Sequence, residues 1–208
     1  MPEAIQPSPL FDVYWRFAAA RQALYFARLE GKEQPWTEDP ILANHRFTNA
    51  YRASDRVSQF LIRHVIYAPG FEDPQDMVFR VLLFKCFNRV STWQALEKAL
   101  GPLRWSTFEG ARADEVLCQE LNEGRSVYSA AYMIPPVALG NSKVKHRGHL
   151  KLVEHMMNDG LVTKLAQTNH LKEVFALLRS YPSLGDFLAF QFTTCLLYTS
   201  LSGLARQT

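Results

Sequence analysis

The chain has 208 residues, 48% of them hydrophobic, and a formal net charge of +3. This length and composition fit a globular protein with a sizeable core, and the mild charge permits nucleic-acid binding without arguing for it. Three widely spaced cysteines with no CxxC or His-rich ligand spacing exclude a disulfide framework and argue against a structural zinc site, so no metal and no cofactor are expected.

The first ten residues, MPEAIQPSPL, lack a basic start and an apolar core, so they do not read as a signal peptide. No apolar run approaches the roughly 20 residues of a membrane span, and reduced thiols point to the cytoplasm. Residues 10–30 carry Phe11, Tyr14, Trp15, Ala18, Gln22, Tyr25 and Leu29 at helical spacing, ended by Gly31 and Pro35. A second helix is expected over 48–67, stopping before Pro69-Gly70. Asp73-Pro74 is an N-cap followed by a first-turn proline, opening a helix through Met77, Val78, Val81, Leu82, Phe84 and Cys86. Ser91 or Thr92 is expected to cap a short helix that Gly101-Pro102 closes. Residues 112–123, 148–158 and 169–180 read as helices, whereas Pro135-Pro136 and Gly140 break 126–146. No stretch alternates convincingly as a strand, so the expected class is all-α, a multi-helix domain over 9–193. From Thr194 the sequence carries no charge until Arg206. Residues 194–208 therefore read as an atypical tail, a truncation junction or foreign extension on one reading and a frayed terminus on the other.

Arg46, Asn49, Arg52, Arg56, Gln59 and Arg63 recur every three or four residues and would form one stripe on a helix, most of it within 48–67. Four guanidiniums in one row repel one another unless an anion faces them, and phosphate matches their planar forks. The alternative is a solvated face, or one paired internally with carboxylates such as Asp55, Asp76 and Glu97. Tyr14, Arg21, Gln22 and Arg28 on the first helix are in register to meet that stripe or a ligand. Phe84, Phe87 and Trp93 surround Lys85, Asn88 and Arg89, so an apolar helix ends in a polar cluster. Such a cluster could address an extruded base, with Lys85 and Asn88 in the catalytic positions, or simply finish a core helix. Lys143, Lys145, His146, Arg147, His149 and Lys151 form the densest basic run, a phosphate grip or a solvated loop, and Tyr128 and Tyr132 are aromatic candidates beside it. The segment LLRSYPSLGDFLAFQ (177–191) has the form of two helices joined by a tight turn, in which Gly185 supplies unusual backbone angles and the second helix start offers amides to a phosphate. No GxxxxGK[ST], GxGxxG, HExxH or GxSxG is present, so this stretch is not itself a P-loop kinase.

The ordered series FDVYWRFAAARQALYFARL, RFTNAYRASDRVSQFLIRHVIY, VLLFKCFNRVSTWQALE, SAAYMI and SYPSLGDFLAFQ resembles the helical domain associated with 5-hydroxymethyluracil DNA kinases. That family is akin to the α-glutamyl/putrescinyl-thymine pyrophosphorylases and more distantly to helix-hairpin-helix DNA glycosylases. Two departures stand out. Ser183 replaces a glycine of the glycosylase hairpin, and Cys195-Leu196-Leu197-Tyr198-Thr199-Ser200 stands where the family pattern has Asp-Leu-Asn-Tyr-Ser, so its aspartate is missing. The resemblance implies a DNA-binding module in hypermodification of thymine-derived bases in phage and bacterial DNA. Under it, Arg46, Arg52, Arg56, Gln59, Arg63 and Gly185 would hold DNA phosphates, and Lys85 and Asn88 would address the base. DNA is the expected partner, together with a P-loop kinase encoded separately. The alternative is a non-catalytic DNA-binding or interaction scaffold serving such a kinase, and the sequence leaves open whether the chain catalyses any step.

Overall fold

Helices are the only regular elements in the computed structural model, which describes residues 6–130, 134–137, 139 and 144–199. The all-α class expected from the sequence is therefore observed. Internal packing groups the chain into two units, Met1–Gln59 and Phe60–Thr208.

In the first unit, α1 spans Phe11–Leu29, as its apolar spacing predicts. Gly31 ends it in a left-handed conformation, φ 70°, with the Lys32 amide returning to Ala27 O at 3.0 Å and the Gly31 amide to Arg28 O at 3.2 Å. These two bonds satisfy carbonyls that the helix end would leave open. A short α2 (Pro40–Asn44) follows, capped by the Asp39 carboxylate on the amides of Ile41 and Leu42.

The expected helix over 48–67 is not formed as one piece. A 3-10 turn at Arg52–Ser54 and a short α3 (Arg56–Phe60) replace its first half. The cause is local competition for the backbone. The Asn49 side-chain amide donates to Ser54 O at 2.7 Å, and the Ser54 hydroxyl donates to Tyr51 O at 2.6 Å. The Asp55 carboxylate then accepts from the Val57 and Ser58 amides at 3.1 and 3.2 Å, starting α3 afresh.

The second unit opens with a π-helical turn, Leu61–Ile66, in which the Tyr67 amide reaches five residues back to Ile62 O. The helix α4 (Pro74–Phe87) starts as expected at Asp73-Pro74, with the Asp73 carboxylate accepting from the Gln75 amide. Every side chain from Asp76 to Phe87 is buried, so α4 is the central helix; it packs against the π turn, α7, α8 and α10. Its buried Arg80 is the packing pin. The guanidinium donates to Val65 O at 2.8 Å, His64 O at 2.9 Å and Leu103 O at 3.3 Å. It lies 3.7 Å from the Phe71 ring centroid and 4.9 Å from that of Trp93.

The helix α5 (Val90–Leu100) begins two residues before the expected start, with Arg89 at the N-cap and no side-chain cap. Neither Ser91 nor Thr92 serves, because Thr92 is buried and its hydroxyl donates to Val127 O. Next come α6 (Gly110–Asn122), α7 (Lys145–Asn158), the unexpected α8 (Leu161–Ala166), α9 (Leu171–Arg179) and α10 (Asp186–Leu196). The helix α6 packs on α5 and α7, and α9 packs on α10. Residues 194–199, expected to stand apart from the fold, belong to this unit. Cys195, Leu196 and Thr199 are buried, and the Tyr67 hydroxyl donates to Tyr198 O at 2.6 Å. The tail beyond Thr199, the break at Gly140, and the candidates Tyr132 and Lys143 lie outside the described residues. Among the described residues no helix is long and apolar enough to cross a membrane.

Gly148 lets residues 134–137 lie against α7, since a Cβ there would sit 2.5 Å from Val137 O. Gly148→Ala should therefore lower stability by ~1–3 kcal/mol, the usual cost of forcing backbone apart. This loss is expected despite alanine's helix advantage of about 1 kcal/mol. Urea denaturation of the two proteins checks it.

Candidate nucleic-acid interface

Arg46, Arg52, Arg56 and Arg63 do not share one helical stripe, because the segment carrying them changes from loop to 3-10 turn to α-helix to π turn. All four are exposed, and none enters an ion pair among the described residues. The three carboxylates named above as internal partners are engaged elsewhere. Asp55 caps α3, Asp76 binds Arg104 at 2.7 Å and the Trp105 amide at 2.9 Å, and Glu97 faces Arg80 at 3.6 Å. Gln59 differs from the arginines: its amide nitrogen is spent on Ala53 O at 2.5 Å, which secures the turn that carries Arg52.

Within the first unit an open cleft of about 620 Å³ is lined by Arg21, Arg28 and Arg46, with Trp36, His45 and Asn49 among its walls. The helical register thus does bring Arg21 and Arg28 to one of the striped arginines. Arg28 lies over the Trp36 ring at 5.2 Å. Arg21 lies beside the Phe17–Phe47 ring pair, 5.5 and 5.7 Å from the two centroids, and donates to Thr48 O. Its Nε is buried with no hydrogen-bond partner among the described residues. Guanidiniums held against aromatic rings keep N–H groups on their other sides for an anion. Trp36 and His45 carry no periodic signal, which is why the sequence did not mark them.

In the second unit Lys85 and Asn88 meet as the sequence suggests, with Lys85 Nζ donating to Asn88 Oδ1 at 2.8 Å. Asn88 adopts the left-handed conformation at the C-cap of α4, φ 49°. Both side chains are buried, Lys85 3% and Asn88 8% exposed, so they do not face solvent as a base-contacting pair would. The reason is that α4 is covered on all sides. The neighbouring Cys86 thiol is pushed up to about 12 by burial and is therefore no nucleophile at neutral pH.

The segment after α6 closes over this helix end. The Ser129 amide donates to Phe87 O at 2.9 Å, Arg89 donates to Tyr128 O at 3.3 Å, and the Tyr128 and Phe87 ring centroids are 5.3 Å apart. Lys145 Nζ lies 4.3 Å from the Tyr128 ring centroid. His149 is fully buried, and desolvation lowers its pKa from 6.5 to about 4. Its Nε2 faces Pro135 O at 2.9 Å and its Nδ1 faces the Tyr128 hydroxyl at 2.6 Å. A carbonyl can only accept, so Nε2 carries the proton and the tyrosine donates to Nδ1. Two further members of the basic run bind Asp114: His146, which is buried, and Arg147, which stays exposed.

The turn between α9 and α10 corrects one expectation. Gly185 is extended, φ −65° and ψ 174°, and a Cβ there would meet nothing within 4 Å. The left-handed residue is Ser183, φ 62°. Ala189 is fully buried, as close helix approach requires. Asp186 in the first turn of α10 pairs with Arg179 at 2.6 Å, and no side chain caps the amides of that helix start.

Fold and surface together define an all-helical module that keeps a set of unpaired guanidiniums in solvent. The family described as 5-hmdU DNA kinase, helical domain, matches residues 8–207, and the chain belongs to it. It is 26% identical over 196 residues to the 5-hmdU DNA kinase of Bacillus phage SP10, an alignment covering 88% of this chain and 30% of that protein. The chain thus spans less than a third of that relative's length. No solved structure matches it.

Proposed function

We propose that this chain is a DNA-contacting module in the modification of 5-hydroxymethyluracil, with Arg46, Arg52, Arg56 and Arg63 directed at backbone phosphates. The observation that carries the reading is that all four are exposed and without ion pairs among the described residues, in a chain of this family. Leaving four cations unneutralised brings the fold no stability and suits a polyanion. The Arg21–Arg28–Arg46 cleft supports the same reading, since guanidiniums beside Trp36 and His45 suit a phosphate with an adjoining base. In this reading Gln59 secures the loop, and Lys85 and Asn88 hold the end of α4 rather than the base. The α9–α10 hairpin, with Ser183 in the glycine position, is a secondary backbone contact. Phosphoryl transfer to the hydroxymethyl oxygen needs an ATP-binding loop, and no GxxxxGK[ST] occurs in these residues. A P-loop kinase outside this stretch supplies that step.

Titration against duplex DNA with and without 5-hydroxymethyluracil tests the proposal. Arg52→Ala plus Arg56→Ala should lower the slope of log K against log salt by about 2, since each phosphate contact contributes roughly 0.9. The melting temperature should not change. Absence of binding at low salt, or a double variant that binds as the parent does, sinks the reading. Lost stability instead would mean that the arginines serve the fold.

A further inference from the structure

The side-chain cluster between α6 and α7 is not used by the DNA reading and has its own chemistry. Asp114 and Cys118 are one turn apart on α6, so their side chains share a face. His146, the second residue of α7, points its Nε2 at both. Nε2 lies 2.8 Å from Asp114 Oδ1 and 3.5 Å from Cys118 Sγ, and Sγ lies 3.9 Å from Oδ1. The three ligand atoms all fall within 4.8 Å of one another. His146 is buried, while Asp114 and Cys118 are partly exposed, so an ion could enter from solvent.

This is not the arrangement of a cysteine nucleophile with its base. A catalytic Cys–His–Asp set uses one ring nitrogen for the thiol and the other for the carboxylate. Here the same Nε2 faces both groups, which is how ligands converge on a shared ion. A tetrahedral zinc with N, O and S at roughly 2.0–2.3 Å places its ligands about 3.4–3.6 Å apart. The S–N and S–O separations are already close to this, and the N–O pair must open by about half an ångström as its hydrogen bond gives way to the metal. Arg147 Nε donates to both Asp114 oxygens at 2.8 Å, and its other nitrogen is 4.0 Å from Cys118 Sγ. It can retain Oδ2 while Oδ1 turns to the ion, and its charge offsets that of carboxylate and thiolate.

We propose that Asp114, Cys118 and His146 form a binding site for a zinc-class divalent ion, with three protein ligands and one position open to water. The mixture of thiolate, imidazole and carboxylate selects zinc or cobalt over magnesium or calcium, which prefer all-oxygen sites. Bound there, the ion ties α6 to the first turn of α7, three residues before His149, and its binding releases the Cys118 proton. The sequence hid the site because its ligands come from two helices, with His146 28 positions after Cys118 and 32 after Asp114.

Cobalt(II) titration of the reduced, chelator-treated full chain tests this. The expected result is one equivalent bound, with a thiolate-to-cobalt charge-transfer band and the visible bands of a tetrahedral ion, all displaced by zinc. Cys118→Ser should abolish the charge-transfer band and weaken binding at least tenfold. His146→Gln should also weaken it at least tenfold. Because His146 is buried, Asp114→Asn provides a variant at a more exposed ligand, expected to keep the band at reduced affinity. No charge-transfer band in the parent chain, or a band unchanged by Cys118→Ser, overturns the proposal.

Discussion

Replacing Arg80 by alanine should cost the second unit ~3–5 kcal/mol, the usual loss when a buried cation network is broken. The guanidinium is fully buried and satisfies three backbone carbonyls, from Val65, His64 and Leu103. Two of these carbonyls belong to the π turn, so truncation would leave buried acceptors without donors at the point where the backbone already departs from α geometry. Burial lowers the Arg80 pKa to about 10, the largest influence, opposed mainly by Glu97, so the group stays charged at neutral pH. Arg80→Lys should recover little, because a single ammonium cannot span Val65 O, His64 O and Leu103 O or lie flat between Phe71 and Trp93. Thermal and urea unfolding followed by tryptophan fluorescence would measure both variants. A loss below about 1 kcal/mol for Arg80→Ala, the net value of one ordinary hydrogen bond, would show that the pin is dispensable.

Arg80 also shows what a pattern does and does not reveal. The sequence places α4 correctly, because Asp73-Pro74 is a strong start and the apolar run after it is continuous. An arginine within that run reads as a solvent-facing residue, and only the carbonyls of a neighbouring non-α turn explain its burial. The same limit governs the 48–67 stretch. Its apolar spacing is helical, but Asn49, Ser54 and Asp55 divert the backbone through side-chain bonds that a periodicity count does not weigh. Hence the arginines stand out in the sequence, whereas the turn geometry that carries them does not. Lys85 and Asn88 were correctly paired, at a spacing that any helix end provides, yet placed on the wrong side of the protein surface, because burial of α4 depends on α7, α8 and α10 packing around it. His149 and the Asp114–Cys118–His146 cluster depend on contacts between distant segments, and no spacing within one segment could announce them.

His149 gives the protein an acid-sensitive joint. Its pKa is about 4 in the fold, chiefly through burial, with Lys145 and His146 adding to the effect and the bond to Pro135 O opposing it. In the unfolded chain the imidazole has an ordinary value near 6.5. Above pH 6.5 it is neutral in both states and adds no pH dependence. As pH falls below 6.5 the unfolded chain takes up a proton that the folded chain refuses until about pH 4, so stability drops across this window. At 1.36 kcal/mol per pKa unit, the full loss is about 3 kcal/mol. Once protonated, Nδ1 becomes a donor and no longer accepts from Tyr128, which loosens residues 134–137 from α7 at Pro135. Carboxylates titrate in the same range, so the informative quantity is a difference. His149→Gln can still donate to Pro135 O and accept from Tyr128 without titrating. Urea unfolding at a series of pH values should show the parent losing about 3 kcal/mol more than this variant between pH 6.5 and 4. Parallel curves for the two proteins would assign the acid sensitivity to other groups and leave the Tyr128–His149–Pro135 chain as a purely structural tie.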